Sequence, residues 1–418
     1  MNLLTRLRGL PHLNTFLSFG AIQAGQIFLP LLALPWLARV LEPEAFGLLL
    51  YMLALSVAVT CVLDWGFNLG AVREAARLRS SPSDLAALLA QVISAKLVLA
   101  ACVCLLAFLL FPFIPYSTPW GYILAVGSGI LYGFNPTWFF QGKGQGMRRM
   151  ASWDVGSSLL VLVGALLFIH KPEHWPRYLL LLTLCKGSAY LFLLLGLARE
   201  YFMPALKITK GLGIIFHTRV LFISCLAAIA YSNGVQLLLG AFLAPAALGV
   251  LIASDKIARA VVSLMGPVTQ TLFPEVCACK DKAPRLLRQS LFWTVGFMLA
   301  ATIALWFAAP QVLFLALGSG YEQTALPVLR IMCLLIPLFA CNFVLGTQVL
   351  VAYGHEKALT KVQLLVAILS LPLAVLLVHY GGLLGAAWVP VLVQGLICSG
   401  LIFSVARCCP EALTCPKH

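Results

Sequence analysis

The sequence predicts an all-α integral membrane protein of about 12 transmembrane helices, arranged as two six-helix bundles related by a parallel pseudo-twofold repeat. Three observations carry this. Of 418 residues, 61% are hydrophobic and 10% charged, with a mean hydropathy of +0.98; a soluble domain carries about 25% charged residues. Apolar runs of bilayer-crossing length recur along the whole chain. The bases cluster in alternate connections between those runs.

The apolar runs lie near residues 13–38, 46–70, 85–113, 120–140, 151–170, 178–198, 217–241, 247–273, 290–316, 325–352, 360–379 and 383–406. Helices are expected because a lone helix satisfies its own backbone in lipid, and the runs are too long for barrel strands. Twenty bases, including Arg6, Arg8, Arg73, Arg77, Arg79, Lys143, Lys280 and Lys417, fall on the N-terminal side. Arg39, Lys171 and Arg177 fall on the other. The positive-inside rule then places both termini in the cytoplasm and makes the number of spans even.

The segment LARVLEPEAFGLL (37–49) matches LGAFLAPAALGVL (239–251) at six of thirteen positions without a gap, including Pro43/Pro245 and Gly47/Gly249. Each copy follows the first span of a six-span half, so the halves are expected at 1–204 and 205–418. An even number of spans per half makes the repeat parallel, with a substrate site expected between the halves. Pro30, Pro35, Pro136, Pro267, Pro337, Pro372 and Pro390 fall inside the runs, where each removes a backbone donor and tends to bend its helix. Trp120, Trp138, Trp153 and Trp175 fall near the expected membrane surfaces, as an interfacial belt requires.

Several classes are excluded. The net charge of +14 lies in topogenic loops, and the chain has too little soluble mass for a nucleic-acid-binding module. The thirteen cysteines form no disulfide framework: most lie within apolar runs, and Cys277, Cys279, Cys408, Cys409 and Cys415 are expected in the reducing cytoplasm. Cys277-x-Cys279 lacks a second pair, and Pro172 interrupts the spacing of His170 and His174, so no metal site is expected. The run after Arg6 and Arg8 is too long for a cleaved signal and is expected to stay as the first span.

Five bases fall inside the runs: Lys96, Lys186, Lys256, Arg259 and Arg330. Each costs roughly 2.5–3.5 kcal/mol at mid-bilayer on insertion scales, so most are expected to face the protein interior or water. The acids within the runs are Asp64, Asp154 and Asp255, available for charge pairing or ion coupling. Asp255 and Arg259 share a helical face and are expected to pair. Three acids against five bases leave an excess of positive charge, and Arg39 adds to it at the outer mouth. A cationic cavity suited to an anion is one reading; snorkelling of Lys96, Lys186 and Arg330 to the interfaces is the alternative.

The segments LPWLARVLEPEAFGLL (34–49), DWGFNLGAVREAA (64–76), NPTWFFQGKGQ (135–145), SDKIARAVVSLMGPVTQTLFPEV (254–276) and VAYGHEK (351–357) resemble the Wzx-type polysaccharide flippases, nearly end to end. That family is similar to the multidrug/oligosaccharidyl-lipid/polysaccharide exporter superfamily. The resemblance implies two six-helix bundles forming a V with alternating access. It implies a substrate of undecaprenyl-diphosphate-linked oligosaccharide (an O-antigen or similar repeat unit), moved from the inner to the outer leaflet of a bacterial inner membrane. Coupling to a proton or sodium gradient is also implied, with membrane lipid, a polysaccharide polymerase and a chain-length regulator as partners. The anionic substrate would then meet Lys96, Lys186, Lys256, Arg259, Arg39 and Arg330.

Two other readings remain. A membrane polysaccharide polymerase or glycosyltransferase needs reactive groups on a sizeable outer loop, and the outer connections hold scattered Glu42, Glu44, Glu173 and Glu322 without a carboxylate pair. A multidrug exporter is expected to favour an acidic cavity for cationic drugs, against the excess of intramembrane bases.

Overall fold

The computed structural model describes residues 29–115, 118–265, 283–318, 321–351 and 355–408, and the regular structure of these is helical. Arg6, Arg8, Pro267, Cys277, Cys279, Lys280, Lys282, Cys409, Cys415 and Lys417 lie outside the described residues, as do both termini. Contacts divide the chain into two units, Met1–Leu226 and Ala227–His418. Among the described residues, seven helical stretches are long and apolar enough to cross a membrane.

Unit 1 begins with α1 (Leu29–Val40) and α2 (Glu42–Asp64). The short α3 (Phe67–Arg77) precedes α4 (Pro82–Leu110). Next come α5 (Pro119–Gly133), α6 (Thr137–Lys143) and α7 (Met147–Phe168). A π-helical turn, Leu182–Lys186, joins α8 (Trp175–Leu181) to α9 (Gly187–Glu200). The unit ends within α10 (Ile208–Ile229).

Local chemistry explains several of these boundaries. Proline occupies the first turn of α2, α4 and α5, where its missing N–H costs no helical bond. The Thr118 side chain caps α5 by accepting from the Gly121 N–H. Two apolar runs turn out to be interrupted. The run at 46–70 breaks after Asp64, where Trp65 (φ 43°) and Gly66 (φ 80°) are both left-handed. The run at 120–140 breaks at 134–136, so Pro136 caps α6 rather than bending a continuous helix.

Small residues let α2 and α5 approach closely. The Ser56 and Ser128 hydroxyls are 2.8 Å apart, and Thr60 Oγ1 donates to the Gly129 carbonyl at 3.0 Å. A Cβ on Gly129 would fall 2.5 Å from the Ser56 carbonyl oxygen. Outward surfaces are inverted relative to a soluble protein: Phe108 is 79% exposed, Phe113 78% and Phe307 76%, a cost in water but not in lipid. Trp120 and Trp153 are exposed as a belt requires, whereas Trp138 and Trp175 are buried in unit 1. Those two indoles pack as core because their helices meet other helices there.

Unit 2 continues through a second π-turn, Ala230–Gly234, into α11 (Val235–Leu239). It then has α12 (Pro245–Ser263), α13 (Ala283–Leu317), α14 (Glu322–Cys333) and α15 (Leu335–Phe343). A π-helical stretch, Val344–Val351, follows. The last element, α16 (Glu356–Cys408), is split by Gly382 at φ 53°. Pro245 opens α12 as Pro43 opens α2.

Replacing Gly129 with Val should overpack the α2–α5 contact and cost about 1–3 kcal/mol. Thermal unfolding of the purified protein in detergent checks this, with Gly156→Val, where an added Cβ meets nothing within 4 Å, as a control.

Candidate functional site

Most of the charges within the apolar runs gather into three clusters, two in unit 1 and one in unit 2. In the first, the π-turn Leu182–Lys186 inserts an extra residue, which rotates Lys186 away from the phase of a regular helix and toward α7. Lys186 Nζ donates to Asp154 Oδ1 at 2.8 Å and to the Asp154 carbonyl at 2.9 Å. Tyr190, one turn further on, donates its hydroxyl to the same Oδ1 at 2.6 Å. Tyr132 meets Tyr190 edge to face, with centroids 5.8 Å apart. Lys186 is 3% exposed and Asp154 0%. Among the described residues, Asp154 Oδ2 has no hydrogen-bond partner. A cavity of about 20 Å³ lies beside Tyr132, Ser158, Tyr178 and Lys186; it has room for about one water molecule and excludes a sugar.

The second cluster sits where two helices break. Asp64 is the last residue of α2, and its Oδ1 lies 3.6 Å from Lys96 Nζ on α4. Lys96 also donates to the carbonyl of Gly133, the last residue of α5. One ammonium thus serves the C-terminal ends of two helices, where the backbone dipoles favour a cation. Asn68 donates its amide to Asp64 Oδ2. The Lys96 side chain is 2% exposed and that of Asp64 27%. Trp65 stacks on Phe222 of α10 with centroids 3.6 Å apart and donates Nε1 to the Ile215 carbonyl at 3.0 Å.

In unit 2, Arg259 Nε donates to Asp255 Oδ2 at 2.7 Å, one helical turn apart on α12. Gln236 Nε2 donates to the same oxygen at 3.0 Å, and the Arg259 guanidinium lies 5.2 Å from the Phe339 ring centroid. Asp255 Oδ1 has no partner among the described residues. A cavity of about 20 Å³ adjoins Tyr231, Ser232, Gln236, Asp255 and Arg259. Lys256 follows Asp255 on the same helix. Arg330 on α14 stacks over Trp306 at 5.6 Å, and its Nε has no partner among the described residues. Arg39 is exposed near the end of α1.

Each of the three acids therefore takes one base: Lys96, Lys186 and Arg259. Among the described residues, Lys256 and Arg330 form no ion pair with a carboxylate within 4.0 Å. Sequence reasoning did not single out Tyr190, Gln236, Asn68 or Trp65. Tyr190 carried a signal, one helical turn beyond Lys186; the others became visible through tertiary contacts. His174 Nδ1 lies 3.2 Å from Arg177 and 3.4 Å from the His170 backbone nitrogen. Among the described residues, no three His, Cys, Asp or Glu side chains gather as a metal would need.

A helical membrane transporter fold emerges when the chain is set beside solved structures. It is similar to an inward-facing multidrug resistance MATE family transporter of the MOP superfamily, with a TM-score of 0.70 and 15% identity, covering 92% of this chain and 94% of that one. It is also similar to the lipid II flippase MurJ in an inward closed conformation, at TM-score 0.68 and 15% identity, over 94% of this chain and 88% of that one. The chain matches the polysaccharide biosynthesis protein family over residues 13–277 and belongs to that family. Among curated relatives, a "Putative O-antigen transporter" of Escherichia coli (strain K12) is 24% identical over 84% of this chain and 86% of its own length. A protein of the same description from Shigella dysenteriae is 25% identical over 89% and 94%. The chain is thus a multi-pass membrane protein of the polysaccharide biosynthesis protein family, helical throughout its described regular structure.

Replacing Lys186 with Met strands the Asp154 carboxylate in a buried site and should cost about 3–5 kcal/mol, whereas the double change Lys186→Met/Asp154→Leu should recover most of it. Thermal unfolding in detergent separates the two variants.

Proposed function

We propose that the protein is a flippase for oligosaccharide repeat units linked through diphosphate to undecaprenol. In this reading it carries O-antigen or a similar polysaccharide unit from the cytoplasmic to the periplasmic leaflet of a bacterial inner membrane, with both termini cytoplasmic. The observation that carries the reading is the positive charge within the apolar spans that no carboxylate compensates among the described residues. After Asp64, Asp154 and Asp255 have each taken a base, Lys256 and Arg330 remain. Family membership and the similarity to two O-antigen transporters point the same way.

The division of labour follows from burial and pairing. Lys256, Arg259 and Arg330 of unit 2 are the cations that attract the diphosphate and any acidic sugars, and the exposed Arg39 of unit 1 is a further one. Lys96 and Lys186 are buried against carboxylates and hold unit 1 in one of its conformations. Dispersed single cations suit a substrate that must enter and leave, because binding that is too tight would trap it. Alternating access is driven by a proton or sodium gradient, and a polymerase and chain-length regulator use the delivered units.

A multidrug exporter shares the fold, as the MATE neighbour illustrates. Residual intramembrane cations would repel the cationic drugs that such a cavity attracts through acidic groups.

Deleting the gene should remove surface polysaccharide and strand lipid-linked repeat units in the inner leaflet. Complementation with Lys256→Gln/Arg330→Gln should lower surface polymer by about tenfold or more at unchanged protein level, as for loss of a charge-assisted contact. Lipopolysaccharide gels and lipid extraction give both readouts. Intact surface polymer in the deletion strain overturns the proposal, and surface core bearing a single repeat unit identifies a polymerase instead.

A further inference from the structure

We propose that Asp64 is a proton-binding site, and that its protonation opens a clasp formed by Lys96 between the broken ends of α2 and α5. The proposal deepens the flippase reading by naming the coupling ion and the groups that sense it, and it rests on that reading.

The geometry supplies the clasp. Lys96 is 2% exposed and reaches two acceptors: the Asp64 carboxylate at the end of α2 and the Gly133 carbonyl at the end of α5. Both helices stop at those residues, and the chain turns through 65–66 and 134–136 before α3 and α6. The α5 end offers an unsatisfied carbonyl and the α2 end a carboxylate, so a single ammonium that faces both ties the two ends together.

The asymmetry of exposure supplies the trigger. Asp64 has 27% of its side chain exposed, whereas its partner is sealed. Of the two groups, the carboxylate is therefore the one open to a proton from outside the pair. Protonation converts the Asp64 carboxylate to a neutral acid, with the proton drawn from solvent and returned to it on reversal. Lys96 then keeps its charge in a buried site with one carbonyl as its remaining named acceptor. An uncompensated buried charge is strongly destabilising, so protonation and clasp opening are linked.

The surroundings favour a proton over a metal cation. Asp64 Oδ1 faces the Lys96 ammonium as an ion pair at 3.6 Å and Oδ2 accepts from the Asn68 amide, so an ammonium and an amide donor face the two oxygens. A sodium ion would have to approach against these donors, whereas a proton adds directly to an oxygen. Besides Lys96, the titratable groups that sense the Asp64 charge are Cys61 on α2, Cys225 on α10 and Tyr190 on α9.

An output is also visible. Trp65, adjacent to Asp64, stacks on Phe222 and donates to Ile215. Both partners lie on α10, the helix within which unit 1 ends. Movement of the α2 end is thereby passed to α10.

Hydrogen–deuterium exchange on the full-length protein in lipid nanodiscs, from pH 5 to 9, tests the clasp without any substrate. In the wild type, backbone protection at 61–70 and 131–137 should fall as pH falls. Asp64→Asn should exchange about tenfold or more faster at every pH, because the stranded ammonium opens both helix ends locally. Asp64→Asn/Lys96→Leu, which removes the buried charge, should regain protection and lose the pH dependence. A wild-type pH profile that persists in Asp64→Asn overturns the proposal, as does protection that follows sodium at fixed pH. A parallel assay in proteoliposomes follows a lipid-linked oligosaccharide diphosphate under an imposed pH gradient. If the wild type moves no such lipid while the exchange pattern holds, the flippase reading fails and the proton site stands.

Discussion

A charge or a backbone polar group inside the hydrocarbon needs a partner from the protein or from water, and the described structure is organised by that demand. The backbone is satisfied by helices. Most of the charges are satisfied by three ion pairs, Asp64–Lys96, Asp154–Lys186 and Asp255–Arg259, while among the described residues Lys256 and Arg330 form none. Each pair is supplemented by a polar neighbour: Asn68, Tyr190 and Gln236 respectively. A buried carboxylate sharing one cation and one neutral donor is held more firmly than by the cation alone.

Departures from regular helix coincide with these clusters. The Trp65–Gly66 break follows Asp64, the Leu182–Lys186 π-turn delivers Lys186, and the Ala230–Gly234 π-turn comes just before Gln236. An irregular turn costs helical hydrogen bonds, and in lipid that cost is tolerated where polar side chains or close packing compensate. These sites are therefore the places where the scaffold has alternative local geometries within reach. A transporter has to change shape, and its polar clusters lie where shape is easiest to change.

The packing between clusters has a different basis. With little hydrophobic force between helices in lipid, close approach depends on small residues and on hydrogen bonds. Ser56, Thr60, Ser128 and Gly129 provide both between α2 and α5, and that contact carries the Asp64 and Gly133 ends into reach of Lys96. The local packing of unit 1 and its buried charge thus depend on each other.

The sequence by itself determined the membrane class, the helical character and the identities of the charges requiring an explanation. Hydropathy and charge distribution act over single segments, so they are legible without tertiary contacts. The Asp255–Arg259 pair was legible for the same reason, since four residues span one helical turn. Tertiary structure decided the rest. Asp154 and Lys186 are 32 residues apart, and nothing local selects that partnership over another. The break after Asp64 was hidden because the hydropathy of the run continues through it, and Trp65 gives no sign of a left-handed backbone. The second acceptor of Lys96 is a backbone carbonyl, a group every residue carries. Its role arose from where α5 ends against α2 and α4, a property of packed helices that no single stretch of sequence holds.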